Sequence, residues 1–252
     1  MRAPRTALVT GASRRIGRAI AMDLAAYGFD VAVHYHGSEE EAEDVVANIE
    51  AYDGTAVAVK ADLSDASETA GLVAAAEEAL GKPLTLLVNN ASLFEKDEAQ
   101  TFSAEAWDAH QAVNLRAPAM LAQAFAERLP EGAKGTIINM IDQRVLKLNP
   151  QYFSYTASKS GLWSLTRTMA QAFAPNIRVN AIGPGPTLKN TRQTAEIFEK
   201  EATSTPLGRG PDLEEICAAV RFLLESPSIT GQMLALDGGQ HLAWRTPDIL
   251  ED

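Results

Sequence analysis

An α/β fold, a single doubly wound domain around a seven-stranded parallel sheet, is predicted by three observations. Short β-rich runs alternate with helical patterns along the whole chain, the signature of strand–helix crossovers. A glycine-bearing turn from Gly11 to Gly17 joins the first strand to the first helix. No Ser/Gly-rich linker, charge block or short-period repeat divides the 252 residues. Residues 1–252 therefore read as one domain, although roughly 150 residues per domain would also allow two.

The first strand is Thr6 to Thr10. Beyond the turn, Ile16, Ile20, Leu24 and Tyr27 line one helical face, which Gly28 closes. Asp30 to His34 is the second strand. Ser38 and Glu41 then have capping-box spacing, and Ala42, Val45, Val46 and Ile49 supply the buried side of the next helix. Thr55 to Lys60 is a strand, Ala66 to Leu80 a helix, and Leu84 to Val88 a strand ending in Asn89 and Asn90. A long helix over Ala104 to Arg128 is expected to break or bend near Pro118, which lacks the N–H a helix interior needs. Thr136 to Ile141 is the fifth strand, Tyr152 to Ala174 a long helix and Ile177 to Ile182 the sixth strand. Leu213 to Glu225 is a helix and Met233 to Leu236 the last strand. Between them, 184–211 is rich in Pro, Gly and Thr, with a weak helical pattern around Thr194 to Ala202. Such a segment is either a substrate loop or an ordinary surface excursion.

Composition narrows the function. Apolar residues at 46% and charged residues at 22% exclude a disordered chain. No apolar run approaches the roughly 18 residues of a membrane span, and Met1 to Thr10 carries too short a run for a signal peptide. The single cysteine, Cys217, forms no internal disulfide, which fits a cytoplasmic protein. A net charge of −11 opposes non-specific binding of nucleic acid.

Thr10-Gly11-Ala12-Ser13-Arg14-Arg15-Ile16-Gly17 stands where a glycine turn can aim backbone N–H groups and a helix N-terminus at a pyrophosphate, as in the Rossmann arrangement. NAD enzymes of this architecture usually carry a carboxylate at the end of the second strand, for the ribose 2′-OH. Here that stretch reads His34, Tyr35, His36, Gly37, Ser38, with no acid before Glu39. A 2′-phosphate could be held there by hydroxyl and imidazole donors together with Arg14 or Arg15. The alternative is that the histidines are surface residues and Ser38 only caps a helix. Further on, Tyr155 and Lys159 stand four apart and so share a helix face. An ammonium beside a phenol near pKa 10 can bring the phenol into a useful range for proton transfer.

Taken with Asn89-Asn90-Ala91, Asn114, Pro184-Gly185 and Asp237-Gly238-Gly239, these motifs resemble the short-chain dehydrogenases/reductases over essentially the whole length. With the residues after the second strand, the resemblance implies NADP(H) as cofactor, and no metal site is expected. It implies that Tyr155 donates the proton, that Lys159 binds the nicotinamide ribose, and that Asn114 holds a relay water. Gly11, Ile16, Gly17, Leu63, Asn90, Ala91, Ser92, Met140, Pro184, Gly185 and Thr187 would line the cofactor, and Asp62 its adenine. A homotetramer is common in the family.

Two departures point to a subgroup. Arg15 replaces the turn's middle glycine, and Asp142 stands thirteen residues before Tyr155, where a catalytic serine is usual. With His34-Tyr35-His36-x-Ser38 and Asn89-Asn90-Ala91-Ser92-x-Phe94, these look like the pteridine reductases. In that subgroup the arginine contacts cofactor phosphate, a phenylalanine matching Phe94 stacks the pterin, and the aspartate joins the tyrosine in proton delivery. Gly37 departs from it, since an arginine often stands there. A serine hydroxyl suits a ketone oxygen becoming an alkoxide, whereas an ionised carboxylate opposes that charge. A carboxylate instead accepts from the N–H groups of a pterin. The expectation is an NADPH-dependent reductase of a dihydropterin or dihydrofolate C=N bond, with Ser92, Phe94, Asp142 and Tyr155 facing the substrate. The alternatives are a carbonyl reductase of 3-oxoacyl thioesters, sugars or small ketones, and a non-catalytic NADP-sensing binding protein.

Overall fold

A computed structural model describes residues 5–190 and 193–244. Seven strands form one parallel sheet in the order β3-β2-β1-β4-β5-β6-β7. They are β1 (Thr6–Val9), β2 (Asp30–Tyr35), β3 (Ala56–Lys60), β4 (Leu86–Asn89), β5 (Gly135–Met140), β6 (Ile177–Pro184) and β7 (Met233–Leu236). Between them lie α1 (Arg15–Ala26), α2 (Glu39–Glu50), α3 (Ala66–Leu80), α4 (Ala104–Gln111), α5 (Ala117–Arg128), α6 (Phe153–Ala172), α7 (Ala195–Thr203) and α8 (Leu213–Glu225). The doubly wound expectation holds, with strand ends shifted by one or two residues.

Each central strand feeds two cores, because successive side chains leave opposite faces. Val9, Leu86, Val88 and Ile138 pack with Ile20 and Leu24 of α1, Val45 of α2 and Val220 of α8. Leu8, Leu87, Ile137 and Val179 pack with Leu72 of α3, Leu121 and Phe125 of α5 and Met169 of α6. Strand order reverses between β1 and β4, so their carboxyl ends open the crevice in which such sheets bind ligands.

Two local expectations change. The 104–128 helix is three pieces, with a π-helical stretch at Ala112–Arg116 between α4 and α5. Pro118 has no N–H to offer the Asn114 carbonyl four residues back, and Ala117 N–H bonds Ala112 O, five back. The second change is at Ser38. It occupies the N-cap of α2 but makes no side-chain cap bond, so the capping box is absent. The boxes that spacing cannot distinguish from it do form elsewhere, as at Asp212 and Glu215 of α8.

Candidate active site

The turn after β1 is built for close approach. Gly11 has φ 61°, and a Cβ on Gly17 would overlap the Gly11 carbonyl and the Asn90 amide. Asn90 Nδ2 donates to Thr10 O at 2.8 Å and Gly11 O at 3.1 Å, tying β4's end to the turn. Below, His34 Nδ1 accepts the Gly11 N–H at 3.0 Å, and its Nε2 donates to Ala61 O at 3.1 Å. Burial pushes the His34 pKa down to about 4, so the ring is neutral. Both nitrogens are spent on the protein, which corrects the idea that this imidazole greets a phosphate or sits on the surface. Tyr35 is likewise buried. His36 stays exposed, 3.3 Å from Asp62, whose carboxyl is held below its usual range by two bonds from Ser64.

Arg15 adopts φ 55°, the left-handed conformation its family position gives to glycine. Its guanidinium crosses to the carbonyls of Lys189 (2.8 Å) and Leu188 (3.0 Å). Arg14 instead lies toward α2, 3.7 Å from Glu41 and on the side of Ser38. Of the two arginines, Arg14 therefore lies toward Glu41 at the start of α2, and Arg15 bridges to the 184–211 segment.

A cavity of about 800 Å³ runs along this edge of the sheet. The glycine turn, residues 34–38, Asp62, Leu63, the stretch from Asn90 to Phe94, and Tyr155 border it. Gly37 is open, with nothing within 4 Å of a Cβ there. Asp142 reaches that border through its bond to Tyr155, and Lys159 bonds Met140. Pro184, Gly185 and Thr187 follow β6, with Gly185 so close to Asp237 that a Cβ would come within 2.7 Å of its Cα.

Behind Tyr155 lies the proposed chemistry. Tyr155 Oη donates to Asp142 Oδ2 at 3.0 Å, and the other carboxylate oxygen accepts Arg144 N–H at 2.7 Å. Burial raises the Asp142 pKa, and burial together with the Asp142 charge lifts that of Tyr155 well above 10. Lys159 is buried, bonds Met140 O at 2.8 Å and has its pKa lowered to about 8 by desolvation. Its nitrogen stands 5.8 Å from the Tyr155 ring. Burial is the larger cause of the tyrosine's rise and the Asp142 carboxylate the next, with the Arg144 charge opposing them. The Asn114 side chain is fully engaged. Its Oδ1 accepts from Leu93 N–H and Ser92 Oγ, and its Nδ2 donates to Leu93 O and Ser158 Oγ. No side-chain position is left for a water, whereas its carbonyl faces the proline that cannot bond it.

Phe94 borders the cavity, stacked on Tyr152 at 4.3 Å and edge-on to Tyr155 at 4.7 Å. Sequence reasoning missed Tyr152, Arg144, Ser158 and His110. His110 is fully buried, and its Nε2 accepts the Glu95 N–H at 3.2 Å, bracing the stretch that carries Phe94. The only sequence signal for Tyr152 and Ser158 was helical spacing from Tyr155. The others are brought in by contacts distant in the chain.

A family model described as enoyl-(acyl carrier protein) reductase matches residues 11–241. A 3-oxoacyl-[acyl-carrier-protein] reductase, FabG of Staphylococcus aureus, is 34% identical over 96% of this chain and 100% of its own. Among solved structures, FolM alternative dihydrofolate reductase 1 from Brucella suis, in complex with NADP, is 52% identical, with TM-score 0.94 and 99% of each chain covered. A blue fluorescent protein from a metagenomic library, in complex with NADPH, is 31% identical with TM-score 0.87, covering 94% of this chain and 98% of that one. A doubly wound sheet, a glycine turn at its switch point and a buried tyrosine–lysine pair thus coincide with full-length relatives, and the chain belongs to the short-chain dehydrogenase/reductase family of oxidoreductases.

Proposed function

We propose that this protein is an NADPH-dependent reductase acting on the C=N bond of a dihydropterin or dihydrofolate. The observation that carries this reading is the Tyr155–Asp142 hydrogen bond of 3.0 Å, at the position where a ketone reductase needs a neutral donor. The 52% identical relatives from Brucella suis and Brucella canis, described as alternative dihydrofolate reductases in complex with NADP, support it.

The residues fit a dinucleotide. The cavity falls within the ~300–1,000 Å³ of small-molecule sites. Gly11 and Gly17 leave a backbone cradle that a Cβ would fill, and the Ser38 hydroxyl is not used as a cap. When bound, the dihydronicotinamide supplies the hydride. The glycine turn and the N-terminus of α1 would hold the pyrophosphate, with Arg14, His36 and Ser38 near the 2′-phosphate. Tyr155 Oη gives its proton to the ring nitrogen of the substrate's C=N bond. Asp142, which accepts the phenol's hydrogen bond, relays a proton from solvent back to the phenolate. Lys159 supplies positive charge behind the tyrosine, and Phe94 offers a face for a planar ring.

The 3-oxoacyl reductase relatives favour a second reading, a carbonyl reductase. Absorbance of NADPH followed against dihydrobiopterin, dihydromonapterin, dihydrofolate and a ketone set separates the two. Turnover of a pterin with little of any ketone is expected, and the reverse rejects the proposal. A homotetramer working in the cytoplasm completes the proposal on family likeness; among the described residues no helix is long and apolar enough to cross a membrane. Light scattering on purified protein tests the tetramer.

A further inference from the structure

Beyond Tyr155, the aromatic wall ends in the Arg144 guanidinium, whose charge opposes the rise in the pKa of Asp142 and Tyr155. Tyr152 has φ 57°, a strained conformation for a bulky residue. Its ring is fixed by parallel stacking on Phe94 (4.3 Å, 5° between planes) and by the Arg144 guanidinium, 5.0 Å from its centre. Arg144 N–H is bonded to Asp142, which anchors this arginine two residues from the proton-delivery pair. Its guanidinium, by contrast, has no hydrogen bond or ion pair among the described residues, and its Nε is buried without a partner. An orphaned donor of that kind calls for an explanation. A guanidinium fork is matched to carboxylates. On a chain of net charge −11, a local unpaired cation is how an anionic group would be received.

We infer that Arg144 and Tyr152 form a subsite for a planar ring carrying a carboxylate, namely the aminobenzoyl-glutamate tail of a dihydrofolate, and so favour conjugated over unconjugated pterins. This rests on the pterin reading above and names the substrate class within it. Tyr152, its faces covered by Phe94 and Arg144, presents the ring edge to the aminobenzoyl group, and Arg144 pairs with the carboxylate. No bond is made or broken at the subsite, so its contribution is binding alone and falls on KM.

Steady-state kinetics with NADPH on dihydrofolate and dihydrobiopterin test the inference in wild type, Arg144→Gln and Arg144→Lys. Arg144→Gln is expected to raise KM for dihydrofolate by about tenfold, the loss of one charge-assisted contact, with any change in kcat shared by both substrates because the Arg144 charge also acts on Asp142 and Tyr155. The KM for dihydrobiopterin should remain within about twofold of wild type, because it carries no carboxylate. Arg144→Lys keeps the charge without the fork and should raise the dihydrofolate KM by only about threefold; it also serves if the glutamine variant does not fold. Equal rises in KM for both substrates, a fall confined to kcat, or no change would overturn the inference, since the second means that Arg144 acts only through Asp142. Wild type that reduces dihydrobiopterin but not dihydrofolate overturns it while leaving the pterin reading intact. Wild type that reduces neither sinks both.

Discussion

Arg14 and Arg15 are neighbours in sequence that the turn sends apart. The left-handed φ of Arg15 carries its guanidinium to the Leu188 and Lys189 carbonyls, while Arg14 lies beside Ser38 and Glu41. Two bonds to carbonyls offset a conformation that glycine would adopt without strain. The two residues should therefore separate in cofactor kinetics. Arg14→Ala is expected to raise KM for NADPH by about tenfold with little change for NADH, because only the 2′-phosphate is lost as a partner. Arg15→Ala should weaken both cofactors to a similar extent, by loosening the turn from the 184–211 segment. NADPH-selective loss in Arg15→Ala, with Arg14→Ala neutral, would reverse the assignment. Sequence alone left the two arginines interchangeable, since nothing local reveals a partner 173 residues away.

At the scale of elements, the junction of β1, β2 and α1 depends on a buried imidazole. His34 at the end of β2 accepts from the glycine turn and donates to Ala61 beyond β3. Its pKa falls from the ordinary 6.5 to about 4 because burial disfavours the charged ring. The folded state thus holds fewer protons than the unfolded chain between these values. The stability linked to neutral His34 is fully present above pH 6.5 and is lost as pH falls through about 4. The shift corresponds to about 3 kcal/mol at full titration. A glutamine can both accept and donate but cannot titrate. The difference in Tm between wild type and His34→Gln should accordingly narrow as pH falls from 6.5 toward 4. A constant difference across that window would mean that His34 is not the titrating brace. The π-helical stretch before α5 has the same character. Pro118 announced a break in the sequence, but periodicity could not say that it would be a widened turn burying Asn114 against Ser158.

For the whole molecule, alternation was legible because a parallel sheet covered on both faces demands apolar strands of four to eight residues between amphipathic helices. Val31 to Val33, Leu86 to Val88 and Ile137 to Ile138 meet that demand and are fully buried. The candidate catalytic residues were legible as motifs at fixed spacing. Their state was not: the motifs paired Asp142 and Lys159 with Tyr155 but gave no sign that the phenol would donate to a buried carboxylate or that the Asn114 side chain would be saturated. Those facts arise from burial and from contacts between the ends of different strands. Single-substrate rates on wild type, Asp142→Ala and Asp142→Ser, with dihydrofolate and a ketone set side by side, bear most directly on the whole account. Asp142→Ala should lower kcat for the pterin by about 10²-fold or more, the range of a positioned acid–base group. Asp142→Ser should lose pterin turnover as well, gaining at most a trace of ketone reduction. A wild type that reduces ketones well, improved further by Asp142→Ser, would contradict the account.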